Sequence, residues 1–237
     1  MTPEDLRAWR KAERERLMTA REALTPAELD ERRHAMDRHI ERAFPGLSNG
    51  VLAVCWPIRN EYDPRFVAKR MRDRGAVTAL PVVVRPRTPL IFREWHPGTL
   101  LAKGVYDIPY PTEASPEVQP DHVLLPMNGC DEQGYRLGYG GGFFDRTLAA
   151  APKRPLVIGV TFELARIPTI HPQPYDIPMD YVVTERGVYR RDDGRLAFLG
   201  APPEGAPSAL ASPVCYAGEV APGYFGENAG GGDAARR

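Results

Sequence analysis

Nothing in the 237 residues tips the electrostatic balance: 31 lysines and arginines face 31 aspartates and glutamates, so the formal net charge is zero. A chain without a basic excess has no global field to gather nucleic acid or an anionic membrane, and any anion site must be local. Cysteine is scarce. Cys55, Cys130 and Cys215 are odd in number, far apart and without CxxC spacing, which argues against a disulfide framework or a zinc knuckle and for a reducing cytoplasm. His96, His122 and His171 lack metal-ligand spacing. No apolar run is long enough to span a membrane, and the charged opening MTPEDLRAWRKAERERLM has no apolar stretch of the signal-peptide kind. The glycine-rich stretch near residue 140 has neither the GxGxxG of a dinucleotide site nor the GK[ST] of a P-loop.

What is present begins with helix signals. Thr2-Pro3-Glu4-Asp5 offers a hydroxyl N-cap, proline at the first helical position and acids near the positive end of the dipole. Thr25-Pro26-Ala27-Glu28 repeats the device with glutamate at the capping-box position. Helices are expected over about 3–24 and 26–44. Arg10 and Arg14 are four residues apart and share a face, so they can present two guanidinium groups to one polyanion. The plainer reading of the same helix, which covers most helices of this composition, is a solvated face laced with Glu–Arg pairs.

From residue 51 the pattern changes to short apolar runs, VLAVCW, VTALPVVV, LIFREW, HVLLPM, PLVIGVTF and DYVVTE, with helical stretches at 64–74 and about 142–150. Strands apolar on both faces belong to a covered, mostly parallel sheet. The expected fold is a three-layer α/β/α single domain over residues 1–199, with the N-terminal helices added to it. From residue 200 onward glycine, alanine and proline make up more than half of the chain, the composition of a flexible tail.

The most specific stretch is GYRLGYGGGFFDR, residues 134–146, placed between a strand and a helix. A glycine-rich turn feeding a helix N-terminus exposes successive N–H groups beside the positive end of a dipole, which suits phosphate. A tight turn needing φ > 0 is the plainer alternative. Arg136 and Arg146 flank the loop as the expected catalytic cations, and Asp145 can hold a hard cation through oxygen.

The block GCDEQGYRLGYGGGFFDRTLA closely resembles the signature of 5-formyltetrahydrofolate cyclo-ligases, the methenyltetrahydrofolate synthetases. RKAERERLMTAREALTPAE, CWPIRNEYD, ALPVV, LIFREWHPG, GVYDIPYP and YDIPMDYVVTERGV agree in order and spacing. The resemblance implies a fold shared with ribose-phosphate isomerase and CoA-transferase-like domains. It implies a cytoplasmic ATP- and Mg2+-dependent ligase, monomeric or weakly dimeric, acting on a small-molecule folate, with no nucleic-acid or membrane partner. By resemblance ATP meets Arg10, Lys11 and Arg14, together with Arg136, Leu137, Gly138, Tyr139, Gly140, Gly141, Gly142, Phe143 and Phe144. Substrate meets Trp56, Glu61, Tyr139, Gly140, Gly141, Gly142 and Phe143, and the metal meets Asp145 and Asp176.

The chain departs from that pattern at Cys130, where the family carries an aromatic, at Phe143 and Phe144, which lack the family's phenol hydroxyls, and at Ala165, in place of a glutamine. These changes fall on the expected substrate side. They leave open a paralogue that keeps the nucleotide site but activates another formyl or carboxyl group, or a non-catalytic folate- or nucleotide-binding protein.

Overall fold

The computed structural model of the protein describes residues 1–104 and 107–201. Helix α1 spans Pro3–Glu22 and α2 spans Pro26–Ala43, and both carry reciprocal capping boxes, Thr2 with Asp5 and Thr25 with Glu28. Helix α3 is Arg65–Asp73 and α4 is Phe143–Ala150. Each helix lies within a few residues of the stretch expected from its caps and periodicity.

The strands are β1 (Val51–Ala53), β2 (Val77–Val82), β3 (Ile91–Glu94), β4 (Leu101–Lys103), β5 (Pro109–Pro111), β6 (Glu117–Val118) and β7 (His122–Pro126). They continue as β8 (Gly129–Asp131), β9 (Arg136–Leu137), β10 (Leu156–Val160), β11 (Arg166–Ile167), β12 (Tyr181–Thr184), β13 (Gly187–Asp192) and β14 (Arg195–Gly200). Nine of them form one sheet in the order β14-β13-β12-β10-β7-β1-β2-β3-β6. Its middle five, β12 to β2, pair in parallel, while β13, β14, β3 and β6 add antiparallel edges. The sheet is therefore parallel where it is buried and antiparallel toward its rims.

Alternation decides which layer each side chain joins. In β7, Leu124 belongs to the core under α2 and α3, whereas Val123 and Leu125 belong to the core under α4. Leu52 and Ala53 divide in the same way, as do Ile158 and Val157. Met36 and Ile40 of α2 and Val67 and Met71 of α3 cover the first face, and Leu148 of α4 covers the second. Those two covers account for the doubly apolar strands of the sequence.

Helix α1 stands apart from both layers. Its Leu17 packs with Leu137, Ala165, Ile167 and Ile170 in a third, smaller core, against the three-stranded sheet β11-β8-β9. Between α2 and α3 lies a buried polar network, in which the Tyr62 hydroxyl and the Arg33 and Arg70 guanidinium groups all converge on Asp37.

The β13–β14 hairpin was not expected from the sequence. Its strand ends at Gly200, where the tail was expected to begin, and most of that tail, residues 202–237, lies outside the described residues, as does Cys215. No helix among the described residues is long and apolar enough to cross a membrane.

Candidate active site

Chain direction creates a crevice at a defined place. From β1 the chain passes through α3 to β2 on one side, and from β7 through α4 to β10 on the other. Strands β1 and β7 are parallel neighbours, so the connections diverge between them. That divergence is a switch point, and ligands of open α/β sheets bind beyond the carboxyl ends of the strands at such points. Glu61 follows β1, and Asn128 and Asp131 follow β7.

The glycine loop crosses this end. Gly140 and Gly142 have φ of 95° and 61°, in the left-handed region where a side chain would be strained, and Gly142 is the N-cap of α4. Gly138 is required for a different reason: a Cβ there would fall 2.1 Å from Arg136 Nη1. Only bare backbone lets the Arg136 guanidinium fold back along its own loop. Gly140 and Gly141 are exposed to solvent, so their backbone is open to a ligand.

Three arginines meet the loop and a fourth, Arg10, holds the neighbouring 170–176 segment. Arg14 Nε donates to Gly138 O at 2.6 Å, and Arg146 donates to Gly141 O. Arg136 Nη2 donates to Asp145 Oδ2 at 3.1 Å. Arg10 donates to the carbonyls of Ile170 and His171 and pairs with Asp176 at 2.6 Å, which fastens α1 to the 170–176 segment. Arg14 forms no ion pair with any described carboxylate. Burial and the charges of Arg10 and Arg136 push its pKa below the usual guanidinium value, so an anion here would relieve mutual repulsion. Phe143 and Phe144 are bound to the same group, since Arg146 lies over the first ring and Arg136 over the second, each at 5.6 Å.

Asp145 is tied to the segment that carries Asp176, because the Ile177 N–H donates to Asp145 Oδ1 at 3.2 Å. Both carboxylates face arginines, and among the described residues no trio of His, Cys, Asp or Glu forms a cage of protein ligands. Two carboxylates with phosphate oxygens completing the shell are the donors that Mg2+ takes, so the residues fit a metal carried in by a polyphosphate.

One side chain ties the loop to Glu61, while Trp56 lies apart from that pair. Tyr139 has a half-exposed ring, but its hydroxyl reaches inward, donating to Glu61 Oε1 at 2.8 Å and accepting from Arg21 Nη2 at 3.0 Å. Burial pushes the Glu61 carboxyl above the usual range, and Arg21 and the Tyr139 hydrogen bond pull it part of the way back. Trp56 lies under the Arg65 guanidinium at 4.6 Å and meets Trp95 edge to face, at the margin of the first core.

Not every expected residue converges. Lys11 is exposed, one position and about 100° round the helix from Arg10. Leu137 is buried in the third core and offers the loop only its backbone. Three important residues escaped sequence reasoning. Arg21 is buried among Tyr139, Asn128 and the Arg59 carbonyl, and its spacing of seven from Arg14 was the available signal. Asn128 is its buried partner. Asp131 is fully buried and accepts from the N–H groups of Gln133, Tyr135 and Ile170. The D-x-x-G turn at its position was the corresponding clue.

Gly138→Ala follows as a test of the loop. The clash falls on the movable end of Arg136, so the fold tolerates it while the guanidinium leaves Asp145. The expected result is a loss of about 10²-fold in kcat/KM with the melting temperature near wild type, measured by steady-state kinetics and thermal denaturation.

The fold and loop together define a class: an α/β enzyme in which an open, arginine-lined glycine loop stands beside a buried carboxylate at a sheet switch point. The profile of the 5-formyltetrahydrofolate cyclo-ligase family matches residues 6–185, and the chain belongs to that family. A 5-formyltetrahydrofolate cyclo-ligase of Mycolicibacterium smegmatis is 30% identical over 150 residues, covering 60% of this chain and 77% of its own. One from Escherichia coli K12 is 28% identical over 176 residues, covering 71% and 96%. The solved 5,10-methenyltetrahydrofolate synthetase of Aquifex aeolicus superposes with a TM-score of 0.65 at 27% identity, over 78% of this chain and 94% of that one.

Proposed function

We propose that the protein closes 5-formyltetrahydrofolate to 5,10-methenyltetrahydrofolate at the expense of ATP, releasing ADP and phosphate. The observation that carries this reading is the convergence of Arg14 and Arg136 on an open glycine loop, beside the Tyr139–Glu61 pair, in a chain of this family.

The need for ATP is chemical. A formyl group on nitrogen is an amide: resonance blunts its carbon, and its oxygen is a poor leaving group. Transfer of the γ-phosphoryl group to that oxygen breaks the bond to ADP and leaves a phosphorylated, imidate-like carbon. N10 attacks this carbon, phosphate departs with the former formyl oxygen, and the N10 proton leaves with the phosphate. Phosphoryl transfer requires mainly positioning and charge stabilisation. Arg14, Arg136 and Arg146 would supply the charge, and the backbone of Gly140 to Phe143 would supply N–H donors. Asp145 and Asp176 would hold Mg2+, whose chemistry is to neutralise phosphate oxygens. Glu61 would accept hydrogen bonds from the pterin ring. Cys130 is buried in the second core, where burial pushes its thiol up. The reaction belongs in the cytoplasm.

Absorbance in the methenylfolate band tests the reaction, using purified protein, Mg-ATP and 5-formyltetrahydrofolate beside a control without ATP. A rise that depends on ATP is expected. Nucleotide binding without such a rise would mean that the site activates a different formyl or carboxyl compound.

A further inference from the structure

Arg21 is the most deeply buried cation of the crevice, with 3% of its surface exposed, and no described carboxylate lies within ion-pair distance of it. Its hydrogen-bonding is nonetheless extensive. Nε donates to Arg59 O at 2.8 Å, Nη1 to Asn128 Oδ1 at 3.0 Å and Nη2 to the Tyr139 hydroxyl at 3.0 Å. Asn128 is itself buried, and its Nδ2 has no partner within the protein. A lone buried guanidinium is costly unless a nearby negative charge compensates it. Glu61 is that charge, one hydroxyl away through Tyr139.

We propose that Arg21 is a positioning residue for the folate side: it orients the Tyr139 hydroxyl toward Glu61 and supplies the counter-charge for that buried carboxylate. Arg14 of the same helix reaches the glycine loop on the proposed nucleotide side, so α1 serves both halves of the crevice. The titratable groups facing Glu61 are Arg21 from α1, Tyr139 from the glycine loop and Cys55 from the segment after β1. Only Arg21 carries positive charge among them.

The substrate part of this inference rests on the proposed reaction, so its test has one arm that needs no substrate. Burial raises Glu61 in the folded state, so the native protein holds that proton to higher pH than the unfolded chain. The contribution of Glu61 to stability therefore falls as pH rises from the ordinary carboxylate value through the raised one. Arg21→Gln raises Glu61 further. Its loss of stability against wild type, read from urea midpoints, is expected to widen as pH rises through that window and to narrow in acid. In an E61Q background the same substitution is expected to give a loss that no longer varies with pH. A loss that is equal at every pH and unchanged by E61Q would overturn the proposal.

In the kinetic arm, R21Q is expected to move the acid limb of kcat/KM for the folate upward by about one pH unit while KM for ATP stays near wild type. R21K, which keeps the charge, is expected to return the limb toward its original place. Parallel rises in both KM values with an unmoved limb would reduce Arg21 to a structural role. Absence of turnover in the wild type would count against the proposed reaction, and the stability cycle would still decide what Arg21 does.

Discussion

Arg136→Ala is expected to lower kcat by about 10²- to 10³-fold, the usual cost of removing one preorganised donor from a site that stabilises developing charge. The effect has two parts. Arg136 supplies positive charge directly at the loop, and it neutralises Asp145, which lies at the start of α4 beside the same backbone. Without it, the Ile177 N–H is the partner left to Asp145 among the described residues, and the carboxylate faces the polyphosphate with only the proposed Mg2+ to neutralise it. Arg136→Lys is expected to recover part of the rate, because it restores the charge but not the planar fork. Methenylfolate absorbance at saturating ATP and folate gives kcat for both variants. A melting temperature close to wild type would assign the loss to chemistry. Activity near wild type in the alanine variant would remove Arg136 from the site.

Arg10→Ala should act on stability first. Arg10 and Asp176 are both nearly buried, with side chains 12% and 9% exposed, and truncation leaves the carboxylate without its counter-charge. Loss of one member of such a pair costs about 3 kcal/mol, or roughly 6–12 °C in melting temperature for a chain of this size. Two carbonyls, those of Ile170 and His171, also lose their donor. Arg14→Ala, one turn further along the helix, provides the contrast. Among the described residues it breaks a single hydrogen bond, to Gly138 O, so stability is expected to change little while KM for ATP rises. Thermal melts of the two variants, with nucleotide titrations of Arg14→Ala, separate an arginine that holds the protein together from one that waits for a ligand. Equal melting temperatures for the two would contradict this division.

That division was only partly legible in the sequence. The four helices were, because capping boxes and apolar periodicity are local signals that tertiary contacts did not override. The parallel strands β1, β2, β7, β10 and β12 were also legible, since burial on both faces leaves continuous apolar runs. The β13–β14 hairpin is hard to read from sequence, because most of its residues are polar or exposed and its one apolar run, Leu196, Ala197, Phe198 and Leu199, adjoins the glycine- and proline-rich tail and is itself largely exposed. Its signal was Asp193-Gly194, two residues with positive φ between strands, the turn chemistry of a tight hairpin. The short strands β8, β9 and β11 depend on α1 packing over them, a contact that no local window contains. At the site, the loop and Arg14 could be read from spacing and resemblance. Arg21 could not, because an arginine in a charged helix looks solvated until the fold buries it. Asp131 was hidden for a similar reason: its three partners are backbone N–H groups, which leave no pattern of residue types.

The contacts of α1 have a consequence for how the protein becomes active during synthesis. Arg10 meets Asp176 across 166 positions, Arg14 meets Gly138 across 124, and Arg21 meets Asn128 across 107. Nearer partners such as the Arg59 carbonyl hold only the end of α1, so the contacts that seat its length wait until most of the chain has been made, and contacts of such separation form late because their loop-closure entropy must be overcome first. The parallel core can assemble around α2, α3 and the sheet while α1 is still undocked, and docking then completes both halves of the crevice at once. Catalytic competence thus waits on the meeting of α1 with segments made 107 to 166 positions later.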